Sequence, residues 1–290
     1  MSSLRTLEAL RAGPGLGLTR FPPVKRLHQL LEMVGDRVSA RSARLVEVEA
    51  YGFRFAIDSS DRQVSLSLLL HGSYEPEEST LFEQTVLPGM VVVDAGANIG
   101  VYTLLAARAA GPAGRVIAFE PDPHTFEILS ENVSRNGLSN VVLVNGALAG
   151  EPGTMLLYQV PGHPALASLS SANARNSFER VEVQVTTLDS ALADLGIERV
   201  DVMKLDTQGA EIDILRGARE TIGRARPTMF VEYWPTGLSG MGRDPDELLA
   251  QFEEWGYELS LVTAPEERID RAEVVRLSEN GGGVDLLLRT

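Results

Sequence analysis

The chain has 290 residues, 44% of them hydrophobic, enough to bury a full core as one domain with additions or as two small ones. Its lack of cysteine excludes disulfides, thiolate metal sites and thiol nucleophiles. The net charge of −14 disfavours a nucleic-acid binder, and with neither a leader segment nor an apolar run of ~20 residues, a cytoplasmic chain without a membrane span is expected.

The charge is uneven. Residues 1–45 carry eight Lys or Arg against three acids, leaving −19 on the rest. Such an arm suits either a solvated helix or an acidic partner, such as a carrier protein or an anionic surface. Only Lys25 and Lys204 among the 26 basic residues are Lys, which marks places where a guanidinium would not serve.

In chain order, Gly13-Pro14 and Pro22-Pro23 punctuate the first 43 residues around one helical stretch, Val24 to Val34. Two β-like runs from Arg44 to Ile57 flank Tyr51-Gly52 as a hairpin, and a helix from Glu77 to Val86 stops at Pro88-Gly89. Residues 1–89 are therefore expected to form an N-terminal helical and hairpin cap.

From Met90 strands alternate with helices, which predicts a mostly parallel, doubly wound α/β sheet over residues 90–290. The strands are Val91–Val93, Val116–Phe119, Val141–Val144, Asp201–Leu205, Thr228–Val231, Tyr257–Val262 and Val284–Arg289. Helices are predicted up to Ala110, from Asp122 to Asn136, over Ala210–Ile222 and over Asp246–Trp255. Residues 151–187 form an insert of two strands, Met155–Val160 and Val181–Thr186, around a lid-like polar loop at 161–178.

Ligands of open α/β sheets bind beyond the carboxyl ends of the strands, and three strand ends carry suggestive residues. The first is Asp94-Ala95-Gly96-Ala97-Asn98-Ile99-Gly100, whose glycines permit a tight turn. The second is Glu120, twenty residues past Gly100, placed to accept both hydroxyls of a ribose. A Gly-rich turn and a downstream acid also describe dinucleotide dehydrogenases. Here Asn98 replaces the middle glycine, and Asp94 would repel a pyrophosphate while suiting a ligand with ammonium and sulfonium charges.

The third strand end is Met203 to Glu211, where alternation puts Lys204 and Asp206 on one side, with Asp206 at the rim. Asp206 is the expected catalytic residue and Lys204 its partner, with Glu211 either catalytic or complementing a helix N-terminus. His163, in the insert, is a second candidate base. Glu232, Tyr233 and Trp234 at the end of a central strand would make a substrate wall or pack in the core. The histidines lack metal-ligand spacing, and no metal is expected.

Taken together, these segments resemble the FkbM family of methyltransferases. The matching motifs are Asp94 to Gly100, Glu120-Pro121-Asp122-Pro123, Thr187-Leu188-Asp189 and Lys204 to Glu211, joined by Asn132, Asn136-Gly137-Leu138 and Glu232. The resemblance implies a Rossmann-like class I methyltransferase fold, S-adenosylmethionine as cofactor, and O-methylation of a sugar or a polyketide-type secondary metabolite. It assigns donor binding to Asp94, Gly96, Asn98, Gly100 and Glu120, with Asn145 or Ala147 beside the adenine. Gln208 stands where the family usually has Glu, so a base at that position is not expected. The partner would be a small-molecule acceptor, with carrier-linked or lipid-linked forms left open. Two other classes stay open: a donor-binding module without turnover, favoured by Gln208, and a nicotinamide oxidoreductase, disfavoured by Asp94 and Asn98.

Overall fold

A computed structural model of the chain describes residues 45–160, 167–173, 179–279 and 282–290. The basic arm, the expected helix Val24–Val34 and His163 lie outside these residues. The chain divides into two compact units, one ending at Tyr74 and one spanning Glu75–Thr290.

In the first unit, β1 (Leu45–Ala50) and β2 (Phe53–Asp58) pair antiparallel in full register. Tyr51 and Gly52 at φ 55° and 79° make the two-residue connection whose twist matches a hairpin. The Tyr51 hydroxyl donates to the Tyr74 carbonyl and accepts its N–H at 2.7 and 2.8 Å. Helix α1 (Val64–His71), which sequence periodicity did not reveal, ends on Gly72 in the left-handed conformation.

The second unit begins with α2 (Pro76–Thr85). Sequence placed this helix in the cap. Here it packs with the second unit, because the Phe82 ring sits edge-on at 5.2 Å from both Tyr102 and Phe230. The strands β3 (Val91–Ala95), β4 (Arg115–Phe119), β5 (Val141–Val144), β9 (Val202–Leu205) and β10 (Thr228–Tyr233) run parallel in the order β10-β9-β3-β4-β5. The middles of β3, β4, β9 and β10 are fully buried (Val92, Val93, Ile117, Ala118, Met203, Phe230), as strands covered on both faces require, while β5 at the edge is half-buried. Beyond β10 lie β13 (Val284–Arg289), β11 (Glu258–Leu261) and β12 (Ala264–Ile269), each antiparallel to its neighbour. The observed architecture is the predicted doubly wound α/β fold with an antiparallel edge.

Helices α3 (Val101–Ala110) and α4 (Pro123–Arg135) follow β3 and β4. Asp122 caps α4 by accepting the Thr125 N–H, with Pro123 at its first turn. The insert is a separate three-stranded sheet of β6 (Ala147–Leu148), β7 (Gly153–Gln159) and β8 (Glu179–Thr186) in the order β6-β8-β7.

The helix expected over Ala210–Ile222 is two helices, α6 (Glu211–Arg216) and α7 (Arg219–Ala225), preceded by α5 (Leu188–Asp194). The break falls at Gly217, where a Cβ would lie 2.2 Å from the Ala149 carbonyl oxygen. Asp189 then serves the second helix: its carboxylate accepts the Glu220 and Thr221 N–H groups and the Thr221 hydroxyl. Helices α8 (Pro235–Gly240), α9 (Pro245–Glu254) and α10 (Arg271–Ser278) complete the unit. No described helix is long and apolar enough to cross a membrane.

Candidate active site

A cleft with about 580 Å³ of open space lies beyond the carboxyl ends of β3, β4 and β9. Its floor is the turn after β3, and φ values of 81°, 50° and 96° at Gly96, Asn98 and Gly100 define that turn. Gly96 is where β3 and β9 converge, since a Cβ there would meet the Asp206 carbonyl oxygen at 2.0 Å. Asn98 lines the cleft, its own side chain holding the Ile99 N–H at 2.7 Å. Two expected members of this set are elsewhere. Gly100 faces the helix layer, where a Cβ would meet Leu129 at 2.7 Å. Asp94 is buried under α3, accepting the Thr103 hydroxyl at 2.6 Å; burial pushes its carboxyl up to about 6. Asp94 therefore braces the turn from beneath and does not itself line the cleft. Asn132 braces it too, its amide donating to the Ile99 carbonyl from α4.

Glu120 lines the cleft one strand over. Each of its carboxylate oxygens accepts one backbone N–H, from Asn98 at 2.8 Å and from Asp122 at 2.9 Å. Burial nevertheless pushes its carboxyl up to about 8. The side chain thus has a fixed orientation and keeps acceptor capacity for two further donors. Those are the requirements of a ribose diol. Beside it Gly146, Ala147, Leu148, Phe119 and Leu157 make a slot suited to a flat ring. The residues present therefore fit an adenosyl group. Asn145 does not line this slot; its amide donates to the Glu120 carbonyl at 3.0 Å.

The insert closes one side. Leu157 from β7 and Ala167, Ser168 and Leu169 line the cleft, and Ser168 bridges to Tyr158 through paired backbone hydrogen bonds. The Asn173 amide donates to the carbonyls of Gln208 and Gly237 at 2.9 and 3.0 Å. The described part of the expected lid, residues 167–173, is therefore sewn to the loops after β9 and β10. Sequence reasoning missed Leu148, Leu157 and Ser168, for apolar residues of short strands and a small one in a loop give no chemical signal.

At the opposite end stands Asp206, 27% exposed at the cleft, with Lys204 behind it. The Lys204 ammonium is 3.4 Å from Asp206 and 3.0 Å from Glu78 of α2, and lies 4.6 Å from the centroid of the Tyr102 ring. Burial opposes its charge, but Asp206 and Glu78 outweigh that and hold the ammonium well above the ordinary lysine range. A positive residue is therefore fixed under the rim.

Glu211 is not at the rim. Fully buried, one of its oxygens accepts the Thr207 and Gly209 N–H groups and the Thr207 hydroxyl. It braces the loop that carries Asp206 and does not line the cleft. Gln208, at φ 55°, lines the cleft and donates to Glu232 at 3.4 Å. Burial and then Asp206 push the Glu232 carboxyl up to about 9. Tyr233 points the other way along β10, into the core with Val231 and Leu238. Trp234 folds its ring over Gly237. None of Glu232, Tyr233 and Trp234 lines the cleft itself; strand alternation turns Glu232 away from the core face of Tyr233, and Gln208 connects it to the cleft.

Comparison with known proteins finds methyltransferases. A methyltransferase of Sordaria araneosa, sdnD, is 30% identical over 51% of this chain and 68% of its own length. The 31-O-demethyl-FK506 methyltransferase FkbM of Streptomyces tacrolimicus is 28% identical over 46% of this chain and 61% of its own. The 2-O-methyltransferase NoeI of Sinorhizobium fredii is 26% identical over 50% of this chain and 64% of its own. The matches thus span about two thirds of these relatives. The methyltransferase FkbM domain matches residues 94–259, more than half of the chain, from the turn under the cleft into strand β11. The protein belongs to the FkbM methyltransferase family.

Proposed function

We propose that this chain transfers a methyl group from S-adenosylmethionine, the donor of its family, to a hydroxyl oxygen of a sugar or polyketide-type metabolite. The observation that carries this reading is one cleft with two dissimilar carboxylates. Glu120 is locked by backbone donors at one end, and Asp206 is backed by a buried ammonium at the other. When bound, the donor supplies an electrophilic methyl on a sulfonium, a leaving group that needs no activation by the protein.

The residues' task is then alignment and proton removal. Glu120 would take the two ribose hydroxyls, with Gly146 and Ala147 along the adenine and Gly96 beneath the sulfur end. Asp206 would accept the proton of the acceptor hydroxyl as its oxygen bonds to the methyl carbon. The carbon–sulfur electron pair goes to sulfur, leaving S-adenosylhomocysteine. Lys204 holds Asp206 in place through their ion pair at 3.4 Å. Relatives named for O-methylation support oxygen as the atom modified.

The test is incubation with isotope-labelled S-adenosylmethionine and a panel of sugars and hydroxylated polyketides, followed by mass spectrometry. O-methylated product with equal S-adenosylhomocysteine is expected. Donor binding with no acceptor-dependent turnover would instead identify a binding module. Binding of NAD in place of the donor would identify an oxidoreductase.

A further inference from the structure

Lys204 has two carboxylate partners, and the buried one is the nearer. Glu78 Oε1 lies 3.0 Å from the ammonium, against 3.4 Å for Asp206, and the Lys204 and Glu78 side chains are only 2% and 5% exposed. Among the described residues Glu78 Oε2 has no hydrogen-bond partner, so the ammonium alone orients this carboxylate. The start of α2 is committed to this arrangement. Glu75, a non-glycine residue at φ 44°, accepts the Tyr102 hydroxyl at 2.7 Å and so fixes the ring beside the ammonium. Glu78 precedes the segment 94–259 that defines the family.

We propose that Glu78 is a positioning residue that sets the strength of Asp206 as a base by sharing the Lys204 charge. This inference rests on the methyl-transfer reading above. An ammonium paired with Asp206 alone would stabilise its carboxylate strongly and leave it a poor proton acceptor. Divided between two carboxylates, the same ammonium holds Asp206 in place yet leaves it able to take a proton from a hydroxyl. The other charged or titratable groups around this centre are Glu75 before α2, Tyr102 on α3, Asp94 on β3, Glu232 on β10 and Asp285 on β13. None of them is an ion-pair partner of Lys204 among the described residues, so Glu78 is the group that divides the charge with Asp206.

The test uses Glu78→Gln, which keeps shape and removes charge. The acid limb of the kcat profile is expected to move down by about one pH unit. The plateau kcat should fall about tenfold, as a weaker base requires, with donor affinity unchanged. A second readout does not need turnover. With Lys25→Arg in the background, labelled lysine gives one side-chain NMR signal, that of Lys204. Its pH inflection, identified as Asp206 by its loss in Asp206→Asn, should move down in Glu78→Gln. Glu78→Asp, which withdraws the charge by one methylene, should move both readouts the same way by less, and it decides the matter if Glu78→Gln does not fold. An unmoved inflection in a folded Glu78 variant overturns the proposal. A wild type that methylates no hydroxyl overturns the functional reading instead, while the NMR signal still reports the charge sharing.

Discussion

The two ends of the cleft are held by different kinds of contact. At the Glu120 end the carboxylate is gripped by the backbone N–H groups of Asn98 and Asp122, and the turn beneath is fixed by Gly96 against the Asp206 carbonyl. At the Asp206 end, charges set the geometry: Lys204 is shared with Glu78, Tyr102 lies beside it, and Gln208 reaches to Glu232. Backbone grips come from residues close in sequence or on adjacent strands. The charged end draws on α2, α3, β9 and β10, from Glu78 to Glu232. One end is a shape that a short motif specifies, and the other is an electrostatic balance that only the fold assembles.

The contrast breaks most visibly at Asp206. Asp206→Asn should cut turnover by about 10²–10⁴-fold, the contribution of a positioned acid–base group, and leave the affinity for S-adenosylhomocysteine nearly unchanged. Turnover and calorimetry on one preparation check this. Full activity in that variant would remove the catalytic role and leave His163 as the base to test next.

At the backbone end the expected damage is to folding. Gly96→Ala would drive a Cβ to 2.0 Å from the Asp206 carbonyl oxygen at φ 81°, and a loss of about 3 kcal/mol or more by denaturant unfolding is expected. A variant of unchanged stability would mean that β3 and β9 are not locked there.

Glu120→Ala should weaken donor binding by about 1–3 kcal/mol, the cost of leaving buried hydrogen-bonding groups unpaired, with Asp206-dependent chemistry intact at saturating donor. Unchanged affinity in a folded variant would dismiss the ribose assignment.

The smallest effect is on pH dependence. Glu120 and Asp94 titrate higher in the folded protein than in the unfolded chain, at about 8 and about 6, because burial favours their neutral forms. Their stabilising contribution is complete below the ordinary carboxylate range and is lost as pH rises through about 6 and then about 8. Thermal melting should therefore weaken from pH 5 to pH 9, and less so in Glu120→Gln. Parallel melting curves for the two proteins would contradict this.

What was legible in the sequence follows the same division. The strand–turn–helix at Asp94–Gly100, the acid at Glu120 and the alternation of strands and helices are local patterns, and the fold repeats them closely. The sequence did not say which members of a motif line the cleft. Asp94 and Gly100 belong to the motif because they build the turn, from the α3 and α4 sides. Glu211 braces the loop that presents Asp206, and Asp189 holds a helix N-terminus across a break at Gly217. Alternation along β10 separates Glu232 from Tyr233, a distinction the sequence contained but one that needed the core face to be known. Glu78 had no readable signal, since its meaning depends on a lysine 126 positions later.

The most direct test of the account is a crystal structure with S-adenosylhomocysteine. It is expected to show both ribose hydroxyls within hydrogen-bond distance of the Glu120 carboxylate, the adenine against Gly146 and Ala147, and the sulfur on the Asp206 side of Gly96. A ligand whose ribose touches neither Glu120 oxygen, or whose sulfur points away from Asp206, would contradict it.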